Sequence, residues 1–206
     1  MIWAIVVAAG SGMRYGGAKQ FDSLCGRTLV DWALEQPLAL ADGVVLVVPA
    51  DRVADEWPPV DVVVEGGATR ADSVRAGLAA VPHGTTVVVV HDAARPLATR
   101  ATFEAVIEAV RDTDAAAAVP GIPVADTLRH LDGMPIDRDR IVAVQTPQAF
   151  RAGVLRAAHE GGPDATDDAT LVERAGGRVV VVPGTVQAMK VTTPDDLRVL
   201  EALVSG

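Results

Sequence analysis

The sequence contains a single cysteine, Cys25, among its 206 residues. One cysteine excludes an intramolecular disulfide and a multi-cysteine metal site, and it is compatible with a reducing compartment, so we expect a cytoplasmic protein. No apolar run approaches the roughly 18 residues that a transmembrane helix requires, so no contact with a membrane is expected. The apolar residues 2–8 lack a preceding basic segment and run into a glycine loop, which predicts a strand and not a signal peptide.

Aromatic residues are also scarce, at 3% of the chain, so the core has to be built from Val, Ala, Leu and Ile. Hydrophobic residues nevertheless make up 50%, which argues against disorder. Of the 18 basic residues, only Lys19 and Lys190 are lysines, and 27 acidic residues leave a net charge of −9. No basic stripe is present, which excludes bulk nucleic-acid binding as the expected role. A small cationic pocket for an anionic metabolite is compatible with this charge.

Strand-length apolar runs recur along the chain and alternate with helical patterns. Continuous runs are typical of strands that are buried on both faces of a mostly parallel sheet. The predicted strands are 2–8, 43–49, 60–65, 86–91, 115–119, 141–145 and 178–182. The predicted helices are 28–40, 70–80, 99–111, 151–159, 167–175 and 194–204. The alternation predicts an α/β fold in one domain spanning residues 1–206.

One region, about 121–140, interrupts the alternation with Pro, Gly and Asp residues. Within it, Asp132-Gly133 stands between two short segments, which is a hairpin-turn signal. We therefore expect a short β-arm that leaves the main sheet.

The first candidate site is the glycine-rich segment 8–20, which directly follows the first strand. In an α/β sheet, ligands bind at the carboxyl ends of strands. Glycines let backbone N–H groups converge on phosphate oxygens, and Arg14 and Lys19 add positive charge there. Neither the dinucleotide fingerprint nor the P-loop pattern is present, because Tyr15 and Gln20 stand where those motifs require other residues. A glycine-rich turn with incidental surface charges is the alternative.

A second glycine pair, Gly66-Gly67, follows the third predicted strand and opens a helix. Glycine allows close backbone approach to a flat ring, and the Ser73 hydroxyl could hydrogen-bond the edge of a base. A plain helix cap by Thr69 or Asp72 explains the segment equally well.

The third segment, 91–96, follows a valine strand. Asp92 stands at the strand's carboxyl end, where a carboxylate could hold ribose hydroxyls or a metal, and Arg95 could face an anion. A surface Asp–Arg pair is the alternative. His91 is expected to be a packed residue, since no second histidine lies at metal-binding spacing.

Three further segments carry polar residues without a decisive pattern: Asp137-Arg138, 145–150 and 188–197. On sequence physics alone, each of them could be a loop. The segment 166–168 is most simply an N-cap followed by acidic residues of a first helical turn.

Taken together and in order, these segments resemble the nucleotidyltransferase family typified by 2-C-methyl-D-erythritol 4-phosphate cytidylyltransferase, of the non-mevalonate isoprenoid pathway. The similarity runs from about residue 2 to residue 200. The segments that carry it are Ala8-Ala9-Gly10, Arg14 with Lys19-Gln20, 70–73, 91–96, 146–148, 166–169 and 190–192.

The resemblance implies a Rossmann-like, mostly parallel sheet of the nucleotidyltransferase (glycosyltransferase-A-like) fold, whose protruding arm helps to form a homodimer. It implies a reaction of CTP with methylerythritol phosphate that gives the CDP-linked product and pyrophosphate. It also implies Mg²⁺, held mainly by the CTP phosphates and with few or no protein ligands.

The resemblance also assigns residue roles. Arg14 and Lys19 would stabilise charge on the transferred phosphate, while Arg138 and Lys190 would position the acceptor. The cytidine side of the site would comprise Ala8, Ala9, Gly10, Ser11, Gly12, Gly67, Ser73, Asp92 and Ala93. The sugar-phosphate side would comprise Asp92, Arg95, Thr127, Arg138, Thr146, Thr166 and Lys190. No residue is assigned as a metal ligand.

Three other functions are compatible with parts of this pattern. A ribitol 5-phosphate cytidylyltransferase would share much of the CTP site. The short spacing between Arg14 and Lys19 also occurs in molybdenum-cofactor nucleotidyltransferases. Such an enzyme would not explain the segments 91–96 and 146–148. A non-catalytic nucleotide-binding module predicts loss of the phosphate-handling cations, whereas this chain retains them.

Overall fold

The computed structural model describes residues 1–10, 12, 15–163, 165 and 167–205. Its strands, in chain order, are β1 (Ile2–Val7), β2 (Ser23–Leu24), β3 (Arg27–Thr28), β4 (Gly43–Val48), β5 (Val62–Glu65), β6 (Val87–Asp92), β7 (Ala117–Pro123), β8 (Leu128–Arg129), β9 (Pro135–Ile136), β10 (Val142–Val144), β11 (Gln148–Arg151) and β12 (Val179–Pro183). The seven predicted strands are all present among them, with boundaries shifted by a few residues.

All six predicted helices are also present: α1 (Leu29–Leu40), α2 (Arg70–Ala80), α3 (Arg100–Arg111), α4 (Ala152–His159), α5 (Asp168–Arg174) and α6 (Pro194–Ser205). Their starts follow local sequence signals. Thr28 and Thr69 each form a capping box with an aspartate three residues later. Within the predicted capping segment of α5, the Asp167 side chain accepts a hydrogen bond from the Thr170 backbone N–H. Such caps satisfy backbone N–H groups that have no partner within the helix, and each is typically worth about 1 kcal/mol.

Eight strands form one mixed, mostly parallel sheet. Strands β5, β4, β1 and β6 are parallel neighbours, in that order. Strand β11 is inserted antiparallel between β6 and β7, β12 lies parallel on the other side of β7, and β10 pairs antiparallel with the far end of β7. The carboxyl ends of β1, β5 and β6 therefore lie along one edge of the sheet, and each is followed by one of the candidate site segments.

The helices cover both faces of this sheet, which explains the continuous valine runs. Successive side chains of a strand point to opposite faces. Val6, Leu46 and Val89 therefore pack on one face with α1 and α3, while Ile5 and Val45 pack on the other with α2, α4 and α5. With so few aromatic residues, valine, leucine and alanine fill nearly the whole core.

A third, smaller apolar cluster lies beneath the loops at the carboxyl edge. It joins Leu24 and Leu29 to Leu200 of α6, and it includes Val191, the residue after Lys190. Tyr15, from the glycine-rich segment, packs against the same cluster. The C-terminal helix α6 thus supports several site-bearing loops at once.

The predicted arm is a two-stranded hairpin, β8–β9, that leaves the sheet after β7. Gly133 adopts a φ of +91°, a left-handed conformation that favours glycine, so the Asp132-Gly133 turn forms where the sequence places it. Leu131 and Met134 at the tip are strongly exposed. Among the helices in the described part of the chain, none is long and apolar enough to span a bilayer.

Candidate active site

Two adjacent cavities open at the carboxyl edge of the sheet. The larger, of about 380 Å³, lies between the two glycine-rich loops and is lined by Val7, Ala8, Ala9, Gly10, Gly12, Lys19, Gln20, Gly67, Ala68, Thr69, Arg70, Ser73, Asp92, Ala94 and Lys190. The smaller, of about 160 Å³, is lined by Arg70, Asp92, Arg95, Val144, Gln145, Thr146, Gln148, Asp167 and Lys190. Arg70, Asp92 and Lys190 line both, so the two cavities meet at a charged junction.

The first glycine loop is held by a buried side chain. The Gln20 amide nitrogen donates hydrogen bonds to the carbonyl oxygens of Ala8, at 2.7 Å, and Gly10, at 2.9 Å. Gly12 has a φ of +62°, and a Cβ there would lie 1.8 Å from the Gly17 carbonyl oxygen. The tight curl of this loop therefore requires glycine at position 12 and a hydrogen-bonding side chain at position 20.

The second glycine loop is held in a similar way by Ser73. The Ser73 hydroxyl donates to the Thr69 carbonyl oxygen at 3.0 Å and accepts from the Gly67 N–H at 3.2 Å. A Cβ on Gly66 would come within 2.2 Å of the Ala9 Cβ. The two loops thus approach so closely that only glycine fits between them. Ser73 both lines the cavity and fixes the loop, and the capping box at Thr69 is present as well.

The junction between the cavities is built from opposite charges. Asp92, the last residue of β6, accepts a hydrogen bond from Arg70 Nε at 3.0 Å on one carboxylate oxygen, and from Lys190 Nζ at 2.6 Å on the other. Arg70 Nη1 also donates to Asp168 at 2.7 Å. The Asp92 side chain is 10% exposed, so its charge depends on these partners.

These contacts determine the ionisation of the junction. Burial by itself raises the pKa of the Asp92 carboxyl, but the positive charges of Arg70 and Lys190 outweigh it and leave that pKa well below its usual range. Burial likewise tends to lower the pKa of Arg70, and the carboxylates of Asp92 and Asp168 raise it on balance. Both groups are therefore fully charged at neutral pH.

The smaller cavity is bounded by Arg95 and Thr146. Arg95 donates to the carbonyl oxygens of Ala188 at 2.7 Å and Val144 at 3.3 Å, which points its guanidinium along the wall. The Thr146 hydroxyl accepts from the Asp92 N–H at 3.0 Å and contacts His91 Nδ1 at 3.1 Å. This contact holds the buried His91 ring in place, so His91 is a packed residue as the sequence suggested.

Most sequence-predicted site residues that the structure describes come together here. Ala8, Ala9, Gly10, Gly12, Lys19, Gly67, Ser73, Asp92, Arg95, Thr146 and Lys190 line one or both cavities. Ala93 lies directly behind the wall and is fully buried, while its neighbour Ala94 lines the larger cavity. Ser11, Arg14 and Thr166 lie outside the described residues.

The two arm residues are placed elsewhere. Thr127 and Arg138 are exposed and line neither cavity. Arg138 donates a hydrogen bond to the Ala125 carbonyl oxygen within the arm. Within a single chain, the structure does not bring them to the junction.

The contacts of three residues in the site have no signal in the local sequence. Arg70 stands in a segment that carries the family resemblance, but its pairing with Asp92, 22 positions away, is a tertiary contact. Asp168 is an acidic first-turn residue of α5, as the sequence predicts, but its contact with Arg70 has no local signal. The loop-holding role of Gln20 has none either, beyond its place directly after Lys19.

Comparisons with known proteins agree with this geometry. A family model for 2-C-methyl-D-erythritol 4-phosphate cytidylyltransferase matches residues 2–206. A protein of that name from Streptomyces avermitilis is 42% identical over 98% of this chain and 91% of its own length. The crystal structure of the Thermus thermophilus protein of the same name is 37% identical, with a TM-score of 0.85 and complete coverage of both chains. The α/β nucleotidyltransferase fold expected from the sequence is confirmed.

Longer relatives match as well. The bifunctional IspD/IspF enzymes of Nitratidesulfovibrio vulgaris and Clavibacter michiganensis are 42% and 44% identical to this chain. The chain spans about half of their length, 57% and 54% respectively. The family model, by contrast, covers nearly every residue. The chain therefore belongs to the 2-C-methyl-D-erythritol 4-phosphate cytidylyltransferase family.

Proposed function

We propose that the protein transfers the cytidylyl group of CTP to 2-C-methyl-D-erythritol 4-phosphate, giving the CDP-linked product and pyrophosphate in isoprenoid biosynthesis. The observation that carries the proposal is the pair of cavities that share Arg70, Asp92 and Lys190. A transferase of this kind has to bring two anionic substrates to one point. Two cavities that meet at a junction with two cations provide such a point.

CTP is assigned to the larger cavity. Its base and ribose fit between the two glycine loops, where side chains are small and backbone groups are close to the cavity. The triphosphate lies along the first loop, which includes Lys19 and, beyond the described residues, Ser11 and Arg14. Asp92 at the junction is placed to accept hydrogen bonds from ribose hydroxyls, with Ala93 holding the strand end behind it.

The acceptor is assigned to the smaller cavity, with Arg95 and Thr146 on its wall. The family resemblance adds Thr166, which lies outside the described residues. An oxygen of the acceptor phosphate attacks the α-phosphorus of CTP. A new P–O bond forms as the bond from the α-phosphorus to the α,β-bridging oxygen breaks, and pyrophosphate leaves with that electron pair. The attacking oxygen is already ionised at neutral pH, so no general base is needed.

The protein's task is then positioning and charge stabilisation, as in other phosphoryl-type transfers. Lys19 and Arg14 would stabilise charge that develops on the transferred phosphate. Lys190 would hold the acceptor phosphate, and it reaches the junction already, where it contacts Asp92 at 2.6 Å.

The donor set suits a Mg²⁺ ion that arrives on the triphosphate. The described residues contain no group of three or more His, Cys, Asp or Glu side chains placed to hold a metal. At the junction, both carboxylate oxygens of Asp92 accept hydrogen bonds from cations. Mg²⁺ retains waters and binds phosphate oxygens readily, and its contribution there would be to neutralise charge on the triphosphate.

We propose further that the arm completes the acceptor site of a second copy. Thr127 and Arg138 line neither cavity of their own chain and belong to an arm with the exposed apolar residues Leu131 and Met134. Exposed apolar side chains at such a tip indicate a contact surface. In a two-fold dimer, each arm would reach the other subunit, so Arg138 would meet the partner's acceptor cavity.

We also propose that residues 1–206 act as one domain, since strands from both halves of the chain enter one sheet. The near absence of cysteine supports a cytoplasmic location, in line with the expectation from composition.

The function is tested by pyrophosphate release with CTP and a panel of sugar phosphates. We expect turnover with methylerythritol phosphate. Arg14→Ala and Lys19→Ala should each lower it about tenfold or more, because each loses charge stabilisation of the transferred phosphate. Arg111→Ala, which removes an exposed cation of α3, is the matched control and should behave as wild type. Turnover with ribitol 5-phosphate alone would overturn the choice of acceptor.

The dimer is tested by mixing inactive variants. If Arg138 acts across the interface, a heterodimer of Arg138→Ala and Lys190→Ala subunits contains one intact site. Random reassortment then restores about a quarter of the wild-type sites. A mixture that stays inactive after subunit exchange would show that Arg138 serves the site of its own chain.

A further inference from the structure

A buried pair behind the junction, Asp168 and His159, takes no direct part in lining either cavity. Asp168 begins α5 and His159 ends α4, and their side chains are 1% and 3% exposed. Asp168 accepts a hydrogen bond from Arg70 Nη1 on one oxygen, at 2.7 Å, and from His159 Nε2 on the other, at 3.0 Å. A carboxylate this deeply buried is costly unless it is paired, so its retention calls for an explanation.

Arg70 connects this pair to the reaction site. Its Nε donates to one oxygen of Asp92 at 3.0 Å while Nη1 points away to Asp168. A guanidinium is a rigid plane with donors in fixed directions. When one edge is anchored to Asp168, the direction in which Nε meets Asp92 is determined. The other Asp92 oxygen then faces the junction, where it accepts a hydrogen bond from Lys190.

We propose that Asp168 and His159 are positioning residues, which orient Arg70 and through it the Asp92 carboxylate at the meeting point of the two cavities. His159 orients the Asp168 carboxylate, Asp168 anchors Arg70, and Arg70 sets Asp92. Without the anchor, Arg70 is free to turn toward substrate phosphates and to draw Asp92 with it. The kinetic part of this proposal rests on the proposed function.

The first test is Asp168→Asn, which removes the charge and keeps the shape. Because the substrate-lining groups are all retained, we expect kcat to fall about tenfold or more while each KM stays within about threefold. Glu173→Gln makes the same chemical change at an exposed position of α5 and should leave both parameters unchanged. A wild-type kcat in Asp168→Asn would overturn the proposal.

The second test asks whether Asp168 acts through Arg70. In a double-mutant cycle, Arg70→Lys replaces the rigid fork with a compact ammonium whose donors rotate, so that a contact with Asp168 no longer fixes the direction of the contact with Asp92. Adding Asp168→Asn to Arg70→Lys should then slow the enzyme by less than about twofold, since the connection is already broken. Effects on kcat that multiply independently would mean that Asp168 has only a structural role.

A third pair of variants separates positioning from packing at His159. Gln at this position still offers an N–H to Asp168, whereas Leu fills similar space without a donor. We expect His159→Gln to retain most of kcat and His159→Leu to lose it. Equal kcat in the two variants would contradict the proposal, and this pair decides the matter if Asp168→Asn fails to fold.

A measurement that needs no turnover tests the positioning role independently of the proposed reaction. The Arg70 Nε–H should exchange slowly with solvent in wild type, because the guanidinium is held between two carboxylates. NMR exchange should become at least about tenfold faster in Asp168→Asn and not in Glu173→Gln. Unchanged exchange overturns the positioning role. Absence of turnover in the wild-type protein, with exchange behaving as expected, would overturn only the proposed reaction.

Discussion

His91 makes folding stability depend on pH in a way that follows from its burial. The ring is 1% exposed, packs on Phe103 with ring centroids 5.0 Å apart, and contacts the Thr146 hydroxyl. Burial lowers its pKa to about 4; Asp92 opposes that shift and Arg95 adds to it. The imidazole is therefore neutral in the folded protein at neutral pH.

The sign and size of the effect follow from linkage. In the unfolded chain, His91 titrates near its ordinary pKa of 6.5, so between pH 6.5 and about 4 the unfolded state binds more protons. The contribution of His91 to stability is present in full above pH 6.5 and declines as the pH falls toward 4. At about 1.4 kcal/mol per pH unit, the loss approaches about 3 kcal/mol.

The assay is urea unfolding followed by circular dichroism from pH 7.5 to 4.5, on wild type and His91→Gln. Glutamine does not titrate, and its carbonyl oxygen is able to accept the Thr146 hydroxyl. We expect the free energy of unfolding of wild type to fall more steeply with acid than that of the variant, with the difference confined to pH below 6.5. Parallel curves for the two proteins would contradict the lowered pKa of His91 in the folded state.

Four further substitutions test the loops around the site. Gly66→Ala places a Cβ 2.2 Å from that of Ala9, so we expect overpacking of about 1–3 kcal/mol in thermal unfolding and a raised KM for CTP; an unchanged melting temperature would contradict the close approach. Gln20→Leu removes hydrogen bonds of 2.7 and 2.9 Å to two loop carbonyl oxygens, which should cost about 2 kcal/mol in urea unfolding. Lys19→Arg and Lys190→Arg should each lower kcat, because a planar fork replaces a compact point charge; full activity of both would show the two lysines to be coincidental.

The sequence predicts the parallel part of the sheet and the six α-helices of the described residues, because those elements have strong local signals. Strand β4 is a continuous run of apolar residues after Gly43, and α2 begins at a capping box. Strand β11 is not predicted, because its four residues are too few to show a hydrophobic pattern and they begin with the polar Gln148. The Gln148 side chain is buried only because other elements pack around it. Its antiparallel insertion between β6 and β7 is a tertiary outcome that no local pattern announces.

The site, too, has features that the sequence predicts and features that it does not. Residues on the loops after β1, β5 and β6 could be predicted, since the carboxyl edge of a parallel sheet is where ligands bind. The contacts between them could not, because Arg70 and Asp168 are 98 positions apart and meet only when α2 and α5 pack on one face. The arm is partly predictable. The Asp132-Gly133 turn signal predicts its hairpin, but no local pattern predicts the position of Arg138 relative to the two cavities.

The most direct test of the proposed reaction is a ³¹P NMR spectrum of wild-type protein incubated with CTP, methylerythritol phosphate and Mg²⁺. We expect two coupled diphosphate resonances from a CDP-linked product, together with one equivalent of free pyrophosphate. Persistence of the CTP and acceptor signals, or a diphosphate product formed only when ribitol 5-phosphate replaces methylerythritol phosphate, would contradict the proposed reaction.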